Sequence, residues 1–438
     1  MITITHGSPA IGKPGMAVFR SESAYFGVGL VDQALISISN LVCVVLVARS
    51  VSISDFGAFS LATAALLFAN SIQNAIVTGP HAVFSAFLNN RQFREYTTIL
   101  GSLQLVTAIG STIILMLGSL ILERSSPTTA SAVMIAAFVT IVWQGQEFAR
   151  RVMYAKSDAI GAAINDSINY GLQACAFAIL WYMDKLSIDR ALWAMGATSI
   201  VALTVGLWRI RGEFTSSVTL RRALQVFREI WHYGRWMLAS SLTYWSSGQL
   251  FPVLAAAFVG LDATAAIRAA QTLLGPAHIF FRFVETSLTP TAARIRAQDG
   301  REALSALLAR VAITSVAIFG LTSAFLLIVA DNILARVFGE SYAGYSILLG
   351  LVIVSYLFLI VSAILSLGLR AERKSRPIFT AGLLSAIFAL TLGPLLVSLW
   401  GATGAAIGLA MHAIITSAML WSSYRVADSA PLSLMSTP

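Results

Sequence analysis

Apolar residues run along the chain in blocks of about 20 or more, separated by short stretches rich in charge, glycine and proline. A hydrocarbon core takes about 20 helical residues per crossing. Lipid offers no hydrogen bonds to the backbone, so each block predicts a helix that satisfies its own amides. The blocks fall at about 24–48, 56–79, 97–122, 128–149, 159–183, 191–208, 236–260, 263–289, 304–330, 345–369, 378–399 and 402–424. The pattern predicts an all-α integral membrane protein of twelve transmembrane helices. The first block leads directly into further spans and has no small-residue cleavage site after a short apolar run, so it reads as a retained helix rather than a removable signal.

The longest polar connection, 209–235, lies between the sixth and seventh blocks and divides the chain into two sets of six. The natural reading is a duplication: an N-terminal lobe over 1–208, a linker over 209–235, a C-terminal lobe over 236–424 and a short tail over 425–438. Within the linker Leu220, Leu224, Phe227 and Trp231 recur at helical spacing, with Arg221, Arg222 and Arg228 off that stripe. This predicts an amphipathic helix at the membrane surface. Its basic face has a simple alternative use, resting on anionic headgroups without a part in function.

Composition removes the soluble alternatives. Of 438 residues 57% are hydrophobic and 11% charged, with a mean hydropathy of +0.79, against about a quarter charged in soluble domains. No sizeable soluble domain fits beside twelve spans. Cys43 and Cys175 both lie in apolar runs, which excludes a disulfide framework and a Cys-rich metal site. The net charge of +9 would suggest nucleic acid in a soluble protein. Here 21 of the 29 Lys and Arg residues fall in alternate connections and the termini, five fall in the other connections, and Arg268, Arg282 and Arg310 lie within spans. That asymmetry predicts cytoplasmic termini and leaves nucleic-acid binding without support.

Polar residues inside the spans are costly, so a shared face should look toward protein or water. In span eight Arg268, Gln271, Gly275, His278, Arg282 and Glu285 fall within about a 100° arc of an ideal helix, a cationic track with a kink expected at Pro276. The simpler reading for two of them is an Arg282–Glu285 pair at i, i+3 that snorkels to the interface. Span one carries Gln33, Ser37 and Asn40 on one face, with Asp32 about 12 Å in from its end. Span two carries Asn70, Gln73, Asn74 and Thr78, span four Thr140, Gln144, Glu147 and Arg151, and span five Asn165, Asp166, Asn169 and Gln173. Each stripe serves equally well for hydrogen bonds between helices. The intramembrane acids Asp32, Glu147, Asp166 and Glu285 are candidates for ion coupling, whereas His412 reads as a bonded core residue.

The chain contains no GxxxxGK[ST], no HExxH and no GxSxG, so no nucleotide-driven pump, zincin-type metal site or hydrolase elbow is expected. No cofactor is called for. A membrane-embedded glycan enzyme would place its chemistry in a large outer loop, and the longest outer loop, about 331–344, is too short for that.

Several segments resemble a known family. The run DQALISISNLVCVVLVARS followed by SDFGAFSLA, the IQNAIVTGP end of span two, the WQGQEFARRVMYAKSDA end of span four, and RAAQTLLGP with TSLTPTAARIRA around span eight are similar to bacterial polysaccharide-biosynthesis membrane proteins. These are the flippase-type O-antigen and exopolysaccharide translocases of the multidrug/oligosaccharidyl-lipid/polysaccharide exporter superfamily. The resemblance implies two pseudo-symmetric lobes around a central cavity lined by spans one, two, seven and eight. It also implies alternating access in the bacterial inner membrane and a glycan substrate on an undecaprenyl diphosphate carrier, with polysaccharide polymerase and export machinery as possible partners. Arg268 and Arg282 would then meet the diphosphate, with Gln271 and His278 beside them. Gln33, Asn40, Asn74 and Gln249 would meet sugar hydroxyls. The competing expectation is a cation-coupled multidrug exporter of the same superfamily, whose cavity should be acidic and aromatic.

Overall fold

The computed structural model describes residues 16–429 apart from 86–87, 217, 285–287 and 373, and the described chain is helical throughout. The N-terminal half holds α1 (Met16–Ser50), α2 (Ile53–Gln73), a π-helical turn (Asn74–Thr78), α3 (Gly79–Phe84), α4 (Asn90–Leu122), α5 (Pro127–Ala155), α6 (Ala159–Tyr182) and α7 (Ile188–Ile210). The C-terminal half holds α8 (Leu220–Tyr244), a second π-turn (Trp245–Gln249), α9 (Leu250–Phe258), α10 (Leu261–Leu273), α11 (Ala277–Phe283) and α12 (Thr289–Gln298). It ends with α13 (Gly300–Ile328), α14 (Ala330–Phe338), α15 (Ser346–Ala371), α16 (Arg376–Thr391) and α17 (Gly393–Ser429).

Starts of helices follow sequence rules. Ser52, Asp158, Ser187 and Thr219 each accept a backbone N–H three residues on, and Asn89 with Gln92 forms a reciprocal capping box. Asp158 also receives the Arg209 guanidinium at 2.6 Å, tying the start of α6 to the end of α7. That hydrogen bond holds the Asp158 carboxyl below the usual carboxylate range.

Among the described residues eight helices are long and apolar enough to cross a membrane by length and composition alone. The rest of the twelve-span pattern is carried by elements such a criterion misses. The 24-residue α6 buries Asn165, Asp166, Asn169 and Gln173 on one face. The seventh and eighth crossings are assembled from short helices on either side of irregular turns. Gly401, at φ +59°, breaks α17, so that 376–400 and 402–429 make two crossings.

The linker differs from its sequence reading in one respect. The helix that starts at Leu220 does not stop at 235 but continues to Tyr244 and through the π-turn into α9, so linker helix and seventh span are one rod. No proline occurs between Leu220 and Pro252 to interrupt it. Val226 and Ile230 of α8 are buried among Val77, Phe93, Tyr96, Ile99, Phe148 and Met153 of the N-terminal half. Gly234 fits against the π-turn of span two: a Cβ there would sit 3.0 Å from the Ala75 carbonyl oxygen. Below that turn His81 on α3 is fully buried, 3.1 Å from the Thr97 hydroxyl and stacked on Tyr96.

At the opposite end the two halves also close on each other. Phe56 and Phe59 of α2 share a core with Ala265, Ala269 and Tyr342, and the Phe56 and Tyr342 rings meet edge-on at 6.1 Å. Arg49 at the end of α1 donates to the Arg336 carbonyl at 3.2 Å. The tightest point is Gly57, where a Cβ would lie 2.1 Å from the Leu261 carbonyl oxygen. Glycine is required there by backbone approach rather than by dihedral angle.

Candidate functional site

Two polar centres lie in the spans, one in each half. The first is built on Arg150, in the last turns of α5. Its guanidinium meets Asp166 on α6 through Nε, Glu147 one turn back at 3.0 Å, and Asp32 on α1 at 3.6 Å. Glu147 takes a second arginine, Arg151, at 2.6 Å. Tyr154 donates its hydroxyl to Asp32 at 2.9 Å. Gln146 donates to both Asn165, at 2.8 Å, and Asp166, at 3.2 Å, while Asn165 donates to the Ala202 carbonyl on α7.

This arrangement follows from spacing. Glu147, Arg150 and Arg151 lie at i, i+3 and i+4 on α5, so all three project from one side, and the polar face of α6 packs there. Asp32 is 4% exposed, Glu147 7% and Asp166 0%. Three buried carboxyl groups face two guanidinium groups, one acid more than the cations balance. A site of that kind has capacity for one more proton or cation. Among the described residues no group of three or more His, Cys, Asp or Glu is placed to hold a metal ion.

The stripe of span two and span four resolves differently. Gln73, Gln104 and Gln144 donate to one another and to backbone carbonyls across α2, α4 and α5, Gln73 to the Gln144 carbonyl at 2.7 Å and Gln144 to the Ala69 carbonyl at 2.9 Å. These amides bind helices together.

The second centre is Arg268 on α10. It is half-buried, and among the described residues its side chain has no carboxylate partner. Tyr356 of α15 lies within electrostatic reach of it. The Tyr356 hydroxyl stands 3.3 Å from Nε2 of His278, with the two rings edge-on at 5.8 Å. Tyr356 of α15 thus bonds His278 on α11 and lies on the side of Arg268 on α10. The helix between them is interrupted. Amides 274, 275, 277 and 278 donate to the residue three back rather than four, around Pro276, which has no N–H to give. Each such turn adds about 20° to the rotation per residue, so Arg268 and His278 do not share one continuous helical face.

The remaining candidates are placed as follows. Gln33, Gln249 and Gln271 are half-buried, and Asn40 and Asn74 are exposed. Asn74 accepts the Thr78 hydroxyl at 3.1 Å within the π-turn. The Arg282 side chain and residue Glu285 lie outside the described residues. A surface cleft of about 330 Å³ between Asn90, Arg91, Arg94, Glu95 and Thr215 contains none of the candidates. Arg150 is the residue the sequence reading passed over, because it counted as one more cytoplasmic cation. The i, i+3, i+4 grouping around Glu147 was the available signal.

Twelve helical crossings fall in two halves, each with a polar centre. No protein-family model and no curated protein sequence matches the chain. Solved structures do. An inward-facing multidrug resistance MATE family transporter of the MOP superfamily aligns at TM-score 0.69 and 16% identity, covering 92% of this chain and 96% of that one. An outward-facing structure of such a transporter aligns at TM-score 0.63 and 14% identity, covering 91% and 94%. A MOP superfamily transporter from Pyrococcus furiosus, described as having a binding pocket of reverse polarity that suggests a different function, aligns at 0.62 and 14%, covering 92% and 94%. The chain has the multi-pass, two-lobed fold of MOP superfamily transporters.

Proposed function

We propose that the protein translocates a lipid-linked oligosaccharide, its glycan carried on a polyprenyl diphosphate, across the bacterial inner membrane by alternating access of the two lobes. The observation that carries this reading is Arg268, a half-buried guanidinium in span eight with no carboxylate partner among the described residues. An unpaired cation at that depth is expensive unless an anion visits it. A diphosphate is such an anion, and the guanidinium fork suits it. Tyr356 and His278 add donors and acceptors beside it for sugar hydroxyls or phosphate oxygens. A transporter of cationic drugs would gain nothing from this charge, and the Pyrococcus furiosus protein shows that pocket polarity varies within the fold.

The acid left unmatched by an arginine around Asp32 supports a coupling site in the other lobe. Asp32→Asn should leave abundance unchanged and remove the dependence of transport on a proton or sodium gradient. Full gradient-driven activity in that variant, measured in proteoliposomes, would exclude Asp32 from coupling.

The substrate reading is tested with the full chain in proteoliposomes and a fluorescent polyprenyl-diphosphate glycan. Wild type should move it, Arg268→Gln should slow movement at least ten-fold at equal abundance, and Arg268→Lys should recover part. Export of a cationic dye by wild type, with no movement of the diphosphate lipid, would replace this reading with the drug exporter.

A further inference from the structure

The exposed side of α8 carries a second ordered set of arginines that the transport reading does not use. Arg221, Arg228 and Arg235 recur every seven residues, which on a helix places them along one edge, drifting by only about 20° per step and spaced about 10.5 Å apart. All three are exposed, and among the described residues none forms an ion pair. Arg235 lies over the Trp236 ring at 5.6 Å. Beside this edge runs the apolar stripe of Leu224, Phe227 and Trp231, which are 51%, 42% and 45% exposed, with the two aromatic rings stacked at 6.4 Å.

The depth of this edge is fixed by what its neighbouring face touches. Val226 and Ile230 are buried against residues near the ends of spans two, three, four and six. α8 is therefore level with the ends of the bundle rather than projecting beyond it, and its exposed stripe stands at the height where aromatic side chains meet headgroups. The asymmetry of Lys and Arg puts that end in the cytoplasm.

We propose that this edge of α8 is a binding site for acidic phospholipids of the cytoplasmic leaflet, each arginine taking one phosphate headgroup and the stripe taking the acyl chains. The spacing selects this class of ligand. Three guanidinium groups strung along about 21 Å of helix match a row of separate headgroups, one cation each, better than one compact diphosphate. Because α8 is continuous with the seventh span, headgroups held here act on the rod that packs against the π-turn of span two.

The test uses the full-length protein in neutral detergent, with native mass spectrometry after equilibration with equimolar phosphatidylglycerol and phosphatidylcholine. Wild type should retain phosphatidylglycerol preferentially. Each arginine near an anionic surface contributes roughly five-fold, so the triple variant Arg221→Gln, Arg228→Gln, Arg235→Gln should lose most of a preference on the order of 100-fold. A control variant, Arg91→Gln with Arg94→Gln, removes other surface charge and should leave it unchanged. Equal phosphatidylglycerol retention by wild type and the triple variant, or equal loss in the control, would overturn the assignment. Displacement of phosphatidylglycerol by substoichiometric farnesyl diphosphate would overturn it too, by assigning the edge to a diphosphate lipid. Unfolding midpoints of all variants within error of wild type would show that the loss is local.

Discussion

Replacing Arg150 by methionine is expected to destabilise the protein by about 3–5 kcal/mol, the effect of leaving buried charges without their partner. Among the described residues Arg150 alone touches Asp32, Glu147 and Asp166 at once. Removing it leaves Asp32 with Tyr154, Asp166 with Gln146, and Glu147 with Arg151 alone. The unfolding midpoint in an SDS titration reads the loss directly. Adding Asp166→Asn to Arg150→Met should recover part of it, because one of the stranded charges is then gone. A wild-type midpoint in Arg150→Met would mean that the acids are neutral in the native state and that the guanidinium holds nothing in place.

Gly57→Val is expected to abolish transport without loss of protein. The new Cβ would meet the Leu261 carbonyl oxygen at 2.1 Å, a backbone atom that cannot rotate away, so α2 and α10 must separate. Overpacking of this kind destabilises by about 2–3 kcal/mol. Only the conformation in which this end is closed suffers, so the equilibrium between closed and open forms should move by roughly 30- to 150-fold. A cysteine introduced at Ala265 should then become reactive to a membrane-impermeant maleimide added from the outside. Wild-type transport with an unreactive cysteine would show that the seam has room to spare.

The spans were legible because a helix in lipid must be apolar over a fixed length, and that constraint is local. Where a crossing is broken, the signal weakens: the seventh and eighth spans show as apolar blocks, yet neither the π-turn at Trp245–Gln249 nor the i→i−3 turns around Pro276 could be placed to the residue. The joining of α8 to the seventh span was not legible, because surface helix and spanning helix have different compositions and nothing in composition says whether a bend lies between them. The acids were legible singly. Their meeting was not, since Asp32 and Arg150 are brought together by the packing of α1, α5 and α6. For the same reason the stripe in span eight, drawn on an ideal helix, does not describe the broken helix around Pro276, and it could not show that His278 bonds Tyr356, 78 residues further on.

The π-turn between α2 and α3 holds one residue more than the α-helical turn it replaces. Deleting a single residue from Asn74–Thr78 would restore ordinary winding and leave α3 in its register on α2, with His81 still against Thr97 and Tyr96. The same holds at Trp245–Gln249, where the rod from α8 enters the bundle. These two places are where homologous chains can differ in length by one residue inside a span while keeping every contact on its far side.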